Sequence, residues 1–410
     1  MSTPVAPLII RGEIITDNLI EVGGRGDDLR FLTPDAKFYL DKLPLGSPTK
    51  LGDLYKLSFE DILDYIEELG ARLDLDKNEY LQQACELSYK TAPLTPTLVR
   101  DSYRLLRHSA NREFIRKMAE QDIGIDYLEG WVSQMRPSGQ RVEVRCFGAR
   151  ALHIIAGNVP GISVLTILRN MVLRSDAIIK APSNDPFTAL AVARTMVDMA
   201  PHHPITKHLT VAYWRGGDTE LEQRLYQPEN IEKIVAWGGY ASLKHVTQYV
   251  QPGLELISLD PKLSASIIGA EAFESEERMR DAAVRLATDI GHKNQVGCVN
   301  ARVIYALSGT DEAALEKLNC FGRLVYEEMM GLPNSVSTKP KKYDRTLKAD
   351  VDALRLDDEW YKVIGGEEEE GAIIVSQIPE PVGFERTLND RTANIVPVDS
   401  IDEVMNAVNA

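Results

Sequence analysis

The feature that most restricts the fold of this chain is an alternation of strand-like and helix-like segments between positions 151 and 260. The strand-like runs, rich in branched apolar residues, are ALHIIAG, DAIIKAP, HLTVAYW, IEKIVAW and LELISLD. The segments between them, such as FTALAVARTMVDMA, repeat apolar residues at helical spacing. Such alternation is typical of βαβ units around a parallel sheet, so we predict an α/β fold here.

The flanking regions follow other patterns. Residues up to about 57 are turn-rich and give no clear assignment, whereas the segment from Leu57 to Gly124 has the apolar spacing of helices. Ser58 begins an SxxD sequence that resembles a helix capping box. Past Lys262, the segments SASIIGAEAF, EERMRDAAVRLATDI and VNARVIYAL indicate a second α/β lobe.

Length and charge exclude several classes of protein. A chain of 410 residues exceeds what one hydrophobic core usually supports, so two or three domains are expected, with one boundary near 130–138. A net charge of −15 repels nucleic acids and anionic lipids. No apolar run approaches the roughly 20 residues of a membrane span, and no secretory signal is visible, which predicts a cytoplasmic protein.

Cysteine and histidine spacing indicates neither disulfides nor a metal site. The four cysteines are Cys85, Cys146, Cys298 and Cys320. All except Cys298 lie within helix-like or strand-like runs, where core packing is the preferred interpretation. Three histidines without carboxylates or cysteines at ligand spacing are interpreted as loop and surface residues: His202, His203 and His208.

Cys298 stands apart because it lies between a polar loop, 291–297, and a strand-like run. An accessible thiolate at such a junction could attack a carbonyl group and hold an acyl group as a thioester. An isolated intracellular cysteine is nevertheless more often a small buried residue. Both interpretations stay open on the residues alone.

Two loops after predicted strands have the chemistry of nucleotide contacts. Gly238 and Gly239 follow IEKIVAW, and glycines let a backbone approach a pyrophosphate closely. Lys180 ends another strand and is followed by the polar residues 183–185. On pattern alone, a tight turn that merely needs glycine is favoured over a nucleotide site.

Five segments together resemble the aldehyde dehydrogenase superfamily: HIIAGNVPG, DAIIKAPSNDPFTA, YWRGGD, IVAWGG and NQVGC occur in its order and spacing. More narrowly, they and YLEGWVSQM are similar to the LuxC family of acyl-CoA reductases. The resemblance implies a mainly helical N-terminal region (1–138), a Rossmann-type cofactor domain (139–262) and an α/β catalytic domain (263–410). We expect the last to be incomplete at its C-terminus, because superfamily chains usually continue past a segment like NIVPVDSIDEVMNAVNA.

The resemblance also assigns roles to individual residues. Cys298 matches the catalytic cysteine, and Asn158 matches the asparagine that forms the oxyanion hole with the cysteine's own N–H. Lys180 and Ser183 match contacts to the adenosine ribose of the cofactor. Gly238 and Gly239 match the turn near its pyrophosphate. With no acidic side chain at Ser183 or Asn184, the 2′-phosphate of NADPH is allowed. The LuxC resemblance implies NADPH as the preferred cofactor, and NADH is the alternative.

One departure from the superfamily concerns hydrolysis of the acyl-enzyme. Ser258 stands where aldehyde-oxidising members have the glutamate that activates water, which favours transfer to or from a thiol over hydrolysis. Glu255 and Asp260 remain alternative bases. A second glutamate of the superfamily, in an E-x-F-G-P-like motif, has no clear counterpart around PEPVGFERTLNDRT.

The resemblance, together with these residues, implies NADPH-dependent reduction of a fatty acyl-CoA, or another acyl thioester, to an aldehyde through an acyl-cysteine. The resemblance further implies an acyl-protein synthetase or thioesterase partner and a homo-oligomer. His292 could assist proton transfer, although a solvent-facing or packing role is more common for such a histidine. The alternatives are an aldehyde-oxidising dehydrogenase, an acyl phosphate reductase and a non-catalytic subunit of an acyl-transfer complex.

Overall fold

The computed structural model describes residues 3–23, 29–260 and 262–409. The chain divides into two compact units, each with its own sheet. Unit 1 comprises Met1–Ala92 with Arg100–Pro261, and unit 2 comprises Pro93–Val99 with Lys262–Ala410. The finer division into three regions stays a prediction.

Unit 1 is built on a seven-stranded sheet of order β11-β10-β7-β8-β9-β1-β2. Its strands, with those of two separate hairpins (β3 with β4, β5 with β6), are β1 Leu8–Ile10, β2 Glu13–Ile15, β3 Leu19–Gly23, β4 Arg30–Pro34, β5 Val132–Met135, β6 Arg141–Val144, β7 Arg150–Ile154, β8 Asp176–Lys180, β9 Leu209–Ala212, β10 Lys233–Trp237 and β11 Glu255–Leu259. Strands β7 to β11 are mutually parallel. The predicted α/β fold with a parallel sheet is therefore confirmed.

Helices cover the sheet of unit 1, and their bounds are α1 Phe59–Arg72, α2 Glu79–Thr91, α3 Pro96–Leu105, α4 Arg112–Asp122, α5 Ile125–Glu129, α6 Gly161–Val172, α7 Thr188–Met199, α8 Pro204–Lys207, α9 Thr219–Leu225 and α10 Tyr240–Thr247. The first residues of α3 belong to unit 2. The predicted capping box is confirmed at α1, where the Asp61 N–H donates to Ser58 Oγ at 3.1 Å and the Ser58 N–H donates to Asp61 Oδ2 at 2.8 Å.

The described residues among the first 57 form four strands that the sequence pattern does not reveal. Strand β1 is only three residues long and fully buried, so it shows no alternation. It pairs antiparallel with β9 and with β2, which extends the parallel sheet by two strands. Such short strands are stabilised by the sheet they join rather than by local propensity.

Unit 2 contains a five-stranded sheet of order β12-β13-β16-β15-β14, parallel except for β14. Its elements are β12 Ser264–Ile268, α11 Glu276–Gly291, β13 Ala301–Ala306, α12 Glu312–Met330, α13 Arg345–Leu354, β14 Tyr361–Gly365, β15 Ala372–Ser376, β16 Ala393–Pro397 and α14 Ile401–Asn409. Helices α11 and α12 bury Ile290, Phe321 and Val325 against the sheet residues Ile304 and Ile395. Among the described helices of either unit, none is long and apolar enough to cross a membrane.

Three residue-level predictions need correction. His208 is buried, not a surface residue: its Nδ1 lies 3.0 Å from Asp176 Oδ1 and its Nε2 lies 2.8 Å from Asp53 Oδ1. Local spacing could not reveal these carboxylates because they are 32 and 155 residues away in the chain. Cys146 and Cys320 are only half-buried, so core packing is correct for Cys85 alone.

A buried neutral histidine lies in β7 at the centre of the unit 1 sheet. The Asn170 amide nitrogen donates to the Thr166 carbonyl at 2.8 Å, so its oxygen faces His153 Nε2 at 3.0 Å. Nε2 is therefore the protonated nitrogen, and Nδ1 has no hydrogen-bond partner among the described residues. Burial lowers the pKa of His153 to about 4, against the opposing effect of Asn170.

This burial makes the stability of unit 1 sensitive to acid. The unfolded chain binds a proton at His153 near pH 6.5, whereas the folded chain resists protonation down to about pH 4. Stabilisation by the neutral ring is therefore complete above pH 6.5 and declines as the pH falls towards 4, by about 3 kcal/mol in all. Urea unfolding of wild type and His153→Gln between pH 7 and 4 should show a smaller acid loss in the variant.

His202→Gln is the matched control because His202 is exposed, and its acid loss should equal that of wild type. The protein's carboxylates also change the free energy of unfolding with pH, but they do so in every variant. The difference between a variant and wild type at the same pH therefore excludes their contribution. If the free energy of unfolding fell equally with pH in wild type and His153→Gln, His153 would not be the buried neutral group that makes unit 1 sensitive to acid.

Candidate functional site

The sheet of unit 1 has a switch point between β7 and β10. From β7 the chain proceeds to β8 and β9 on one side, while β10 and β11 lie on the other. Loops that leave the carboxyl ends of two such strands run in opposite directions and open a crevice, which is where ligands bind in open parallel sheets. The loop after β7 carries Asn158, and the loop after β10 carries Gly238 and Gly239.

The loops after β7 and β8 pack directly against each other. A Cβ atom on Gly157 would lie 2.2 Å from Asn184 Oδ1 and 2.8 Å from Pro182 Cγ, so only glycine permits this approach. Asn158 is the next residue, and its side chain is half-buried. The positions of Asn158 and Ser183 are thus linked through the contact of their loops.

Lys180 is the last residue of β8 and is 9% exposed. Its Nζ lies 5.6 Å from the centroid of the Trp214 ring, and it forms no ion pair within the described ranges. Burial lowers the pKa of Lys180 to about 8, with Glu222 acting in the opposite direction. A buried ammonium group without a carboxylate partner is suited to a ribose hydroxyl or a phosphate oxygen.

A buried chain of hydrogen bonds holds the loop that contains Ser183. Asp185 Oδ1 accepts hydrogen bonds from the Thr188 N–H at 3.2 Å and from Thr188 Oγ1 at 2.6 Å. Thr188 Oγ1 also contacts the Tyr103 hydroxyl, which lies 2.9 Å from Ser88 Oγ. Burial raises the pKa of Asp185 to about 6. Sequence reasoning missed Tyr103, whose contact with Thr188 spans 85 residues of chain.

The glycines after β10 leave the N-terminus of α10 open. Gly239 is the N-cap residue and has no side chain with which to bond the first helical amides. Its φ is −72°, and a Cβ atom there would meet no described atom within 4 Å. Neither backbone conformation nor crowding within the described residues therefore requires glycine at this position. Free amides at a helix N-terminus favour an anionic group.

Cys298 is exposed and lies in a turn, 297–300, directly before β13 of unit 2. Ser264 Oγ donates a hydrogen bond to the Cys298 carbonyl at 2.7 Å. The Asn300 side chain accepts from the Gly297 N–H at 3.0 Å and donates to the Asp289 carbonyl at 2.7 Å. The thiol therefore lies on a turn whose backbone is tied to β12 and α11.

Three consecutive residues before this turn have left-handed backbone conformations, although none is glycine. Their φ angles are 48° at Lys293, 53° at Asn294 and 63° at Gln295. Asn294 Oδ1 accepts from the Thr338 N–H at 2.8 Å, which holds the middle residue. Gln295 Nε2 donates to the Ala301 carbonyl at 2.7 Å. Such conformations cost about 1–3 kcal/mol each and are concentrated at functional sites.

Arg302, in β13, is a residue of this site that sequence reasoning missed. Its guanidinium donates to the carbonyls of Leu388 at 2.9 Å, Asn300 at 3.0 Å and Gln295 at 3.3 Å. It also donates to the Gly297 carbonyl at 3.4 Å. A motif could not reveal these partners because they are backbone oxygens.

The residues considered for water activation lie in or beside β11 of unit 1. Ser258 is exposed, and its hydroxyl donates to Asp260 Oδ2 at 3.3 Å. Glu255 is at the other end of the strand and pairs with Lys233 of β10. His292, which was considered for proton transfer, is an exposed residue of unit 2, and its carbonyl accepts from Asn300 at 3.2 Å.

The five predicted unit 1 residues thus lie at the carboxyl edge of one sheet: Lys180 ends β8, and the other four lie in the loops after β7, β8 and β10. Cys298 lies in unit 2. Their assigned roles stay predictions. Within the described ranges, no cluster of three or more histidine, cysteine or acidic residues could hold a metal ion.

The fold defined by these two units is that of the aldehyde dehydrogenases. Escherichia coli lactaldehyde dehydrogenase has a TM-score of 0.68 at 14% identity, with 100% of this chain and 84% of that chain covered. A Mycobacterium tuberculosis aldehyde dehydrogenase complexed with NAD+ has a TM-score of 0.67 at 16% identity, with the same coverage. The model of the acyl-CoA reductase (LuxC) family matches residues 54–410, and this chain belongs to that family.

Curated relatives are named long-chain acyl-protein thioester reductase. The protein of Photorhabdus laumondii is 35% identical over 181 residues, which cover 43% of this chain and 36% of the relative. The protein of Vibrio harveyi is 25% identical over 411 residues, which cover 97% of this chain and 79% of the relative. The match therefore spans little more than a third of the Photorhabdus protein and about four fifths of the Vibrio protein.

Proposed function

We propose that this chain reduces a fatty acyl-CoA, or another long-chain acyl thioester, to an aldehyde through an acyl group on Cys298, with NADPH as reductant. The observation that carries the proposal is the exposed thiol of Cys298 on a turn held by strained, hydrogen-bonded residues in a chain of the LuxC family. The relatives' name, which specifies an acyl-protein thioester, supports a thioester substrate. An acyl-protein synthetase or thioesterase partner and a homo-oligomer are proposed from the family resemblance.

In the proposed reaction, the Cys298 thiolate attacks the carbonyl carbon of the thioester. The C–S bond to the carrier breaks, and the carrier thiol leaves with a proton. Asn158 is assigned the hydrogen bond to the oxyanion that develops during attack. A thiolate suits both halves of the reaction, because it is strongly nucleophilic and later a good leaving group when the thiohemiacetal collapses to aldehyde.

The residues present in unit 1 fit a dinucleotide. The buried, unpaired ammonium of Lys180 and the side chain of Ser183 are assigned to the adenosine ribose, and Gly238 and Gly239 to the pyrophosphate. A bound nicotinamide supplies the hydride that reduces the acyl-cysteine. The solved structure of an NADP-dependent glyceraldehyde-3-phosphate dehydrogenase complexed with NADP shares the fold, with a TM-score of 0.68 at 11% identity. NADH is the alternative.

Ser258 supports reduction over hydrolysis. A serine hydroxyl is a poor general base at neutral pH, so the acyl-cysteine should persist against water and exchange with thiols. An aldehyde-oxidising dehydrogenase would need a base in this position. Asp260, which accepts the Ser258 hydrogen bond, is the observation that supports that second candidate.

The test uses the full chain and a long-chain acyl-CoA labelled in its acyl group. Without NADPH, we expect one acyl group bound per active chain in a linkage that hydroxylamine cleaves. With NADPH, we expect labelled aldehyde and free coenzyme A. Acylation by acyl phosphate but by no thioester would favour the phosphate reductase, and rapid release of fatty acid would favour the oxidising dehydrogenase. Absence of labelling by any donor would support the non-catalytic subunit.

The assignment of Lys180 predicts a pH dependence of cofactor binding. Its pKa of about 8 means that the positive charge is present at pH 7 and lost as the pH rises through 8. Affinity for NADPH should therefore weaken between pH 7 and pH 9.5. Lys180→Met should bind NADPH roughly tenfold more weakly at pH 7, a loss of about 1.4 kcal/mol. Fluorescence titration of NADPH at several pH values measures both effects.

Lys207→Met is the matched control because Lys207 is exposed, and its affinity for NADPH should follow the wild-type curve. The difference between wild type and Lys180→Met should shrink above pH 8. If the affinity of Lys180→Met retained the wild-type pH dependence, Lys180 would not be the titrating group.

A further inference from the structure

We propose that Arg302 is the positioning residue of the nucleophile: it fixes the loop that carries Cys298 and supplies the positive charge that favours the thiolate. The inference deepens the proposed function, on whose assignment of Cys298 it rests. Both residues belong to unit 2.

Arg302 donates hydrogen bonds to backbone carbonyls that lie before and after Cys298 in the chain. Along the chain, the guanidinium binds the carbonyls of Gln295 and Gly297 before Cys298 and the carbonyl of Asn300 after it. Its Nε donates to the Leu388 carbonyl, which anchors the same group to the segment before β16. One planar side chain thus connects the strained loop 293–295, the turn 297–300 and the segment that contains Leu388. Arginine suits this role because its guanidinium presents several N–H donors in a fixed geometry.

No carboxylate neutralises this guanidinium within the described part of the chain. Two acidic groups on neighbouring elements are engaged elsewhere: Asp289 of α11 accepts from Ser266 Oγ at 2.6 Å, and Glu385 lies 3.6 Å from Arg386. Carbonyl oxygens satisfy the N–H groups without cancelling the charge. A half-buried cation in this position is available to attract a thiolate.

Arg302 is close enough to Cys298 for the two groups to interact electrostatically. Burial lowers the pKa of Arg302, and a negative charge on Cys298 opposes that effect. The other cationic groups on the loop are the half-buried Lys293 and, when protonated, the exposed His292. Neither is held against the turn by hydrogen bonds to the carbonyls that flank Cys298, as Arg302 is.

An uncharged side chain also holds the turn through hydrogen bonds. Its replacement therefore tests the effect of the turn's rigidity separately from the effect of the positive charge. The Asn300 side chain ties Gly297 to the carbonyls of Asp289 and His292. Asn300→Ala therefore loosens the same turn and leaves the cation in place. Arg302→Met removes the cation and the hydrogen bonds, whereas Arg302→Lys retains a cation with fewer of them.

The experiment follows alkylation by iodoacetamide from pH 6 to 10, with each cysteine peptide quantified by mass spectrometry. In Arg302→Met, the midpoint of the rate-versus-pH curve for Cys298 should move to higher pH, so that the rate near pH 7 falls several-fold. The plateau at high pH should change little. Arg302→Lys should recover most of the shift, and Asn300→Ala should keep the wild-type midpoint.

Alkylation of Cys320, beside Arg323, provides an internal reference in every sample. An unchanged Cys298 midpoint in Arg302→Met would overturn the proposal, as would an equal shift in Arg302→Lys. Near-UV circular dichroism shows whether Arg302→Met folds. If it does not, the midpoints of the Cys298 alkylation curves are compared between Arg302→Lys and Asn300→Ala. A larger shift of this midpoint in Asn300→Ala than in Arg302→Lys would overturn the electrostatic role. Because the assay contains neither acyl donor nor NADPH, its result is independent of whether wild type accepts an acyl group.

Discussion

Replacement of Cys298 by alanine is expected to abolish covalent acylation and to lower reductase turnover by on the order of 10⁴-fold or more. Removal of a nucleophile leaves only the contributions of binding and oxyanion stabilisation, which in other acyl-transfer enzymes are a small part of the total. No other cysteine can substitute directly: Cys85 is buried, and Cys146 and Cys320 are half-buried at other places in the chain. Labelling with acyl-CoA and steady-state formation of aldehyde measure the two effects.

Cys320→Ala is the matched control because Cys320 is a free, partly accessible thiol on α12 of the same unit. It should retain both acylation and turnover. Equal labelling of wild type and Cys298→Ala would show that the acyl group is held elsewhere, and the assignment of the nucleophile would then be wrong.

Much of the fold could be predicted from local patterns. Strands β7 to β11 are runs of branched apolar residues separated by amphipathic helices, and burial of such strands by crossover helices leaves few other arrangements. The parallel arrangement then sends the loops after β7, β8 and β10 to one edge of the sheet. That is why Asn158, Lys180 and Gly239, predicted separately from the order of motifs, lie at the same edge.

The environment of Cys298 could not be predicted in this way. Lys293, Asn294 and Gln295 would each favour ordinary backbone conformations in isolation. Their left-handed conformations are stabilised by partners far along the chain, such as Thr338 for Asn294 and Thr392 for Gln295, 44 and 97 residues away. Sequence spacing carries no information on such contacts.

The same reason explains why Arg302 and Tyr103 were missed. Arg302 binds backbone carbonyls, which every residue possesses, so its role leaves no signature in residue types. The hydroxyl of Tyr103 in α3 contacts the hydroxyl of Thr188 in α7, and helical periodicity does not specify such a tertiary contact. Periodicity identifies which face of a helix is buried but not the hydrogen bonds that the buried face makes.

Asn158→Ala is expected to lower the turnover of the acyl thioester by about 10²- to 10³-fold, which corresponds to about 3–4 kcal/mol in the activation barrier. The proposed donor acts only when the carbonyl oxygen becomes an oxyanion, so kcat should fall much more than KM rises. Alkylation of Cys298 by iodoacetamide forms no oxyanion and should proceed at the wild-type rate. Comparison of the two reactions in one variant separates loss of the donor from loss of the nucleophile.

Asn111→Ala is the control for loss of an asparagine side chain from unit 1. Asn111 caps α4, where its Oδ1 accepts from the Phe114 N–H at 2.8 Å, and it is exposed. This variant should lose about 1 kcal/mol of stability and keep the wild-type kcat. If Asn158→Ala instead slowed alkylation and thioester reduction by the same factor, Asn158 would be acting on the thiol or its loop, and its role as oxyanion donor would be wrong. A purely thioester-specific loss would support the donor role, because only that reaction places negative charge on oxygen.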